Sequence, residues 1–259
     1  VLRGFEANRI LIVVDGVRMN NAIYRSGHLQ NAITIDPHNI ERVEVTFGSS
    51  SVGYGSDALG GVIHYYSKSP VINGAKKVTA EYTSNFNYAN LSSVNNLSTK
   101  LSFKNWGSLT SFSFSHFGDI KIGKNRRHGF ENWGLTPYYS INSRENYYPT
   151  PLSNSTPNTQ KNTGYDQYDL FQKFIFALPR DMVLNVNLQY SESTDINRYD
   201  KLAEERAGSL RYSEWYYGPQ KRLFISPQLK VFFGKNWLQK GTFTAAYQNI
   251  EESRINRKF

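Results

Sequence analysis

The most suggestive short stretch of this 259-residue chain is Tyr24-Arg25-Ser26-Gly27-His28-Leu29-Gln30-Asn31. Its imidazole could bind a metal, its phenol could stack on a flat ligand, and its guanidinium could hold an anion. A lone histidine is more often a loop or hydrogen-bonding residue, and His38, His64, His116 and His128 show no metal-ligand spacing among themselves. The absence of cysteine removes disulfides and thiolate metal sites. With no G-x-S-x-G elbow and no H-E-x-x-H pair, the chain reads as a non-enzyme. Gly53-Tyr54-Gly55-Ser56-Asp57-Ala58 formally matches the dinucleotide fingerprint G-x-G-x-x-A. That pattern needs a helix after it, and Val62 to Tyr66 reads as a strand, so nucleotide binding is not expected.

The elements that would have to position such residues announce themselves by period. Seven strand-length segments between Lys76 and Asn249 place apolar residues at every second position. Met182, Leu184, Val186, Leu188 and Tyr190 share one face, and Asn185, Asn187 and Gln189 the other. Leu97, Leu101 and Phe103 oppose Ser98, Lys100 and Lys104; Phe112 and Phe114 oppose Ser111, Ser113 and Ser115; Leu223, Ile225, Leu229 and Val231 oppose Ser226, Gln228 and Lys230. The first and last segments are weaker, and the inner face of the fourth, Tyr165 to Ala177, is ambiguous. A row carrying Lys100, Lys104 and Lys230 cannot be a dry core, so it must meet water or a solvated stopper, and the apolar row then faces lipid.

Tight turns at Asn105 to Ser108, Leu178 to Asp181 and Gly234 to Asn236 alternate with linkers at Asn87 to Ser93, Asp119 to Gly164 and Ser193 to Pro219. In outer-membrane barrels the short side is periplasmic and the long side extracellular. Trp106, Tyr190, Trp215, Tyr216, Tyr217, Trp237 and Tyr247 gather near segment ends, as interfacial girdles would. A soluble all-β sandwich also alternates, but a linker of about forty-five residues is rare in a compact domain. No run of about twenty apolar residues exists, so any membrane passage is by strands. The net charge of +9 is scattered rather than striped, and nucleic acid is not an expected partner. One cluster, Lys121, Lys124, Arg126, Arg127 and His128, sits in the longest loop, where it could meet lipopolysaccharide phosphates or an anionic ligand, or simply be solvated.

Before these segments lie short apolar strands, Ile10 to Val14, Val43 to Phe47 and Val62 to Tyr66, punctuated by Gly and Asp, with the texture of a small α+β or β-rich unit. Asp15-Gly16 is a turn signal, and Gly53, Gly55, Gly60 and Gly61 allow close backbone approach where Asp57 could bond nearby amides. Three stretches, Leu2 to Phe5, ILIVVDGVR from Ile10 to Arg18, and IERVEVTFGSSSVGYGSDALGG from Ile40 to Gly61, resemble the latter part of the plug domain of TonB-dependent outer-membrane receptors. The resemblance covers most of Leu2 to Pro70, and its structural motif takes in Asp15, Gly16, Arg42, Glu44, Gly53, Gly55, Asp57, Gly60 and Gly61.

The resemblance implies a plug over residues 1–72 and a membrane β-barrel over 73–259, about seven antiparallel strands of a larger barrel of the 22-stranded class. It implies TonB-driven uptake of a scarce ligand in the outer membrane of a Gram-negative bacterium, with membrane lipid, lipopolysaccharide and the TonB complex as partners and no intrinsic cofactor. The segment around His28, with Asp36-Pro37 behind it, is similar to the plug of haem receptors, which implies His28 as a ligand to haem iron with Tyr24 and Arg25 as companions. Gln30 departs from the usual asparagine. Ferric siderophores suit the Tyr-rich loops equally; cobalamin, glycans or peptides, or a non-transporting adhesive barrel, remain alternatives. A start at Val1, an odd strand number and the charged Glu251 to Lys258 make the chain read as an internal fragment.

Overall fold

The computed structural model describes residues 10–19, 32–55, 58–72, 74–235 and 237–259. A small sheet opens the chain. Ile10–Val14 forms an antiparallel hairpin with Val17–Arg18 and pairs in parallel with Gly61–Ser67, which in turn pairs antiparallel with Ile40–Thr46. The hairpin turn is Asp15-Gly16, with φ of 47° and 85°; two consecutive left-handed residues favour the Asp-Gly pair found there. Leu11, Val13, Ala58 and Val62 pack on one face of this sheet and Ile12, Val14, Met19 and Ile35 on the other, so the strand Ile10–Val14 is apolar throughout because both its faces are covered. Gly48–Tyr54 is a 3-10 helix, and the strand Gly61–Ser67 follows it. The dinucleotide fingerprint therefore lacks its helix.

The seven expected strands form one antiparallel sheet in chain order: Lys77–Asn87, Ser92–Ser102, Trp106–Phe117, Tyr165–Leu178, Met182–Ser193, Lys221–Lys235, and a seventh broken into Leu238–Thr244 and Tyr247–Glu251. Most are 11 to 15 residues long, ample for a tilted passage through a bilayer, which takes about 9–11. Register carries the face assignment across the sheet. Tyr82, Leu97, Phe112, Leu170, Tyr190 and Leu223 line up in one transverse row, and Thr83, Asn96, Ser113, Asp169, Ser191 and Arg222 in the next. Leu97 is 53% exposed and Phe112 47%, whereas Asn96, Ser113, Asp169 and Arg222 are all 5% or less. This inverts the burial of a water-soluble sheet: the apolar row is left exposed and the polar row faces the small sheet. No helix among the described residues is long and apolar enough to cross a membrane.

Three details differ from expectation. The connection at 88–91 is a four-residue hairpin, because the flanking strands run on to Asn87 and from Ser92; polar residues near the turn hid the strand ends. The inner face is not wholly polar, since Leu109, Phe171 and Phe224 point inward and are buried. Trp215 is no interfacial residue: it is buried in a second, small sheet with Arg198 and Arg254 over its ring at 4.8 and 5.8 Å. That sheet, Ile196–Asn197, Tyr212–Tyr217 and Arg254–Lys258, lies outside the wall and takes up the charged segment judged unfit to close it. The longest connection is likewise structured, with Ile120–Lys121 paired to Thr159–Gln160 and Tyr138–Tyr139 to Leu152–Ser153.

An arginine at Leu97 tests the outward assignment. Leu97→Arg is expected to lower the urea-unfolding free energy of the full-length protein in lipid vesicles by roughly 2–4 kcal/mol. Exposure to water instead would make the same change nearly neutral, within about 0.5 kcal/mol, and that result would reverse the two faces.

Candidate functional site at the seam between the two sheets

The small sheet rests on the inner face of the large one, and the contact centres on a single carboxylate. The hairpin turn projects Asp15 toward the large sheet. Its Oδ1 accepts from the Ser67 amide at 2.9 Å, and its Oδ2 accepts from Ser67 Oγ at 2.5 Å, Lys173 Nζ at 3.1 Å and Asn187 Nδ2 at 2.7 Å. Lys173 Nζ also donates to Ser67 Oγ at 2.8 Å. The lysine and aspartate side chains are 8% and 12% exposed, so a buried charge pair is completed by hydrogen bonds that use the acceptor capacity of both oxygens. Gln228 Nε2 donates to the Asp15 carbonyl at 2.6 Å and Gln248 Nε2 to the Arg18 carbonyl at 2.8 Å. The two-residue turn is thereby tied to the fourth, fifth and sixth strands, and the hairpin strand after it to the seventh.

A second seam runs along residues 33–36. Asp36 caps the 3-10 turn Pro37–Asn39, accepting from the His38 amide at 2.9 Å and from Asn39 Nδ2 at 2.7 Å, and its Oδ2 also accepts from Ser113 Oγ at 2.6 Å. Gln167 Nε2 donates to the Ile33 carbonyl at 2.8 Å, and Arg222 Nη2 to the Thr34 carbonyl at 3.2 Å and to Gln189 Oε1 at 2.5 Å. Asn96 Nδ2 bridges Ser111 Oγ and Ser113 Oγ at 2.8 and 2.7 Å, so the inner row forms a lattice of short polar side chains that also holds Asp36.

Between the two sheets beside Asp15 opens a polar cavity of about 620 Å3, with Glu41, Arg42, His64, Lys173, Gln228 and Lys230 among its walls. Arg42 Nε donates to Glu44 Oε1 at 2.8 Å while its guanidinium lies 3.8 Å from the Tyr66 ring centroid, and the bond to Arg42 holds the Glu44 carboxyl below its ordinary range. His64 Nε2 accepts from the Gly16 amide at 2.9 Å, so that nitrogen is unprotonated. Burial pushes the imidazole below its ordinary range, opposed in part by the charges of Asp15 and Glu44. The ring is stacked on Tyr66 at 3.9 Å.

The expected site residues are thus only partly brought together. Asp15 and Gly16 lie at the heart of the seam, Arg42 and Glu44 pair on Ile40–Thr46, Gly55 (φ 96°) sits against the Arg18 guanidinium, and Gly60 precedes Gly61, which opens Gly61–Ser67. Gly53 lies in the 3-10 helix. Tyr24, Arg25, His28 and Asp57 lie outside the described residues. Of the other histidines, His116 meets Asp166 Oδ1 at 2.6 Å across two strands on the outer face. Among the described residues no group of three His, Cys, Asp or Glu could hold a metal ion. Sequence reasoning missed Lys173, Ser67, Gln167 and Arg222 and read Asp36 only as part of the Asp36-Pro37 pair; an isolated lysine among the mixed inward residues of its strand was the available signal.

Two outcomes follow for the full-length protein. Asp15→Ala strands the Lys173 ammonium and is expected to weaken the docking of the small sheet by roughly 3–5 kcal/mol, read as lost hydrogen-exchange protection over residues 10–19 and 61–67. Adding Lys173→Met should recover part of it, and strictly additive effects would show that the pair is uncoupled. The His64 contribution is pH-dependent. Below the ordinary value of 6.5 the unfolded chain takes up a proton that the folded one, with its lowered pKa, refuses. Stability is therefore constant above about pH 6.5 and falls as pH drops through the window down to the lowered value. Gly16 amide protection, corrected for intrinsic exchange, should follow that fall, and His64→Gln should flatten it; an unchanged slope would remove the imidazole from the turn.

Residues 1–62 match the TonB-dependent Receptor Plug Domain family. A vitamin B12 transporter of Vibrio vulnificus is 28% identical over 211 residues, covering 82% of this chain and 27% of that protein. A hemin receptor of Yersinia enterocolitica is 45% identical over 64 residues, covering 25% of this chain and 9% of that one. In the crystal structure of the siderophore receptor PirA from Acinetobacter baumannii the fold agrees over 95% of this chain and 32% of that one, with a TM-score of 0.59 at 16% identity. The chain spans under a third of the length of each of these relatives. Residues 1–62, which carry most of the small sheet, are thus a TonB-dependent receptor plug domain, and the large sheet after them shares the fold of the barrel wall in the solved receptor.

Proposed function

We propose that this chain is part of an importer that carries a scarce iron complex, haem or a ferric siderophore, across the outer membrane of a Gram-negative bacterium. The plug occupies residues 1–72 and the barrel begins at 73, its outward row resting against acyl chains and its loops among lipopolysaccharide. The observation that supports import most directly is the chemistry of the seam. A stopper held by a carboxylate, an ammonium, amides and serines can exchange each bond for one to water, so it can be displaced and reseated. A barrel serving only attachment has no use for such a stopper. The work of displacement would arrive through TonB at the periplasmic side.

For the ligand, the 64-residue likeness to a hemin receptor is confined to a quarter of this chain, and residues 1–62 are where the plug family matches. His28 then supplies the imidazole to haem iron, with Tyr24 stacking on the macrocycle and Arg25 meeting a propionate. Tyr138, Tyr139, Tyr147, Tyr148, Tyr212, Tyr216 and Tyr217 on the long loops suit haem or an anionic ferric chelate alike. A second reading, cobalamin, is favoured by the 211-residue likeness to a vitamin B12 transporter, which runs through the wall as well.

Growth of a strain deleted for the complete gene separates these readings. Loss of growth on haem or on one ferric siderophore as sole iron source is expected, and normal growth on every iron complex together with lost cobalamin uptake would transfer the assignment to cobalamin. In the purified full-length receptor, His28→Ala should diminish the shift of the haem Soret band; an unchanged spectrum would reject histidine ligation.

A further inference from the structure

The longest connection carries a cavity of about 400 Å3 whose walls include Ile122, Asn125, Arg126, Arg127, Phe130 and Trp133. Its described lining residues all fall within 122–133, so among the described residues neither the small sheet nor a wall strand contributes to it. A ligand seated there is therefore held by the loop's own described residues rather than by those of the Asp15 seam.

The loop is held in shape from within. Ile122 N donates to the Asn158 carbonyl at 2.9 Å, and Phe130 N and Trp133 N close successive turns onto the Arg127 and Phe130 carbonyls at 3.0 Å each. Arg126 is an internal strut, donating to the Trp133 carbonyl at 2.8 Å, the Lys124 carbonyl at 3.3 Å and Asn158 Oδ1 at 2.7 Å. The neighbouring Arg127 guanidinium is exposed and has no partner among the described residues. Beside it Phe130 and Trp133 are 59% and 70% exposed, large rings left in water at a cost that a covering ligand would relieve. Lys121, Lys124, Arg126 and Arg127 set the local charge; the nearby acid, Glu131, is engaged by the Gly129 amide at 2.9 Å and by His128 at 3.5 Å.

The complement of two open aromatic faces beside unpaired cations is a ring with an apolar C–H face that also carries an anion. We propose that this loop cavity binds a phosphorylated saccharide, with Phe130 and Trp133 against the sugar face and Arg127 on the phosphate. The phosphosugars of the surrounding lipopolysaccharide and free sugar phosphates offer the same chemistry, and the site holds the receptor to its surroundings or collects a solute without signalling to the plug.

The test titrates purified full-length receptor, by calorimetry, with N-acetylglucosamine 6-phosphate, N-acetylglucosamine, inorganic phosphate, 2,3-dihydroxybenzoate, and lipopolysaccharide micelles before and after enzymatic dephosphorylation. Saturable binding of the sugar phosphate, or of intact but not dephosphorylated lipopolysaccharide, is expected, weakened about tenfold or more by Arg127→Ala and by Phe130→Ala. Response to the soluble sugar alone places the source in solution, and response to the micelles alone places it in the membrane; both uphold the site. Unchanged binding in both variants, equal binding of the unphosphorylated sugar or of bare phosphate, or a variant-sensitive response to the aromatic acid in place of the sugar would each overturn it. Growth on iron complexes should be unaffected by either variant, so failure of this site and failure of the importer reading are seen separately.

Discussion

The plug and wall are held together through the Asp15 carboxylate more than through any apolar contact, and the rest of the architecture follows from accommodating that charge. A carboxylate moved out of water needs a counter-ion and several donors to be tolerated. The hairpin turn supplies the direction, Ser67 supplies an amide and a hydroxyl from the adjoining strand, and the wall supplies Lys173 and Asn187 from neighbouring strands. The wall's inward row must then be polar at that height, and the oily side chains of the same strands stand on the opposite, exposed face. The alternation that marks the strands in the sequence is thus the second half of a constraint whose first half is the turn.

Period-two patterning made most of the wall legible. Asn187, Gln189, Ser113 and Gln228 all stand on the inward face their spacing assigns to them, and each bonds there. The fourth strand resisted reading because Phe171 and Lys173 follow Asp169 on one face, an apolar residue between two charged ones, and only the plug packed against that face makes sense of the mixture. Partners could not be read at all. Lys173 and Asp15 are 158 residues apart, and no local signal links a lysine in a strand to an aspartate in a distant turn. The Asp-Gly turn was recognised from its backbone preference, whereas the carboxylate's role as the tie to the wall depends on which surface the turn meets. Trp215 misled for the same reason: aromatic residues near strand ends serve interfaces and loop cores alike, and the sheet formed with Arg254–Lys258 decides between them.

The two long connections are joined as well as structured. Ser140 Oγ donates to the Ser213 carbonyl at 2.5 Å, Arg257 Nη2 donates to the Ser143 carbonyl at 3.1 Å, and Asn197 donates to the Asn162 carbonyl. Residues from 140–162, 197–213 and 257 therefore form one cross-braced surface. Displacing one loop alone would break side-chain bonds that displacing the group preserves, so these connections behave as a unit above the wall.

The lattice of serines and asparagines on the inner row has a mechanical consequence. Ser111, Ser113 and Asn96 are short, closely spaced and able both to donate and to accept hydrogen bonds. A body sliding past such a row meets a new acceptor or donor after every small step, with water filling any gap, so the energy along the path is rippled rather than cliff-edged. The inner wall thus holds its load by many small, interchangeable bonds around one strong buried tie, rather than by a single fitted apolar face.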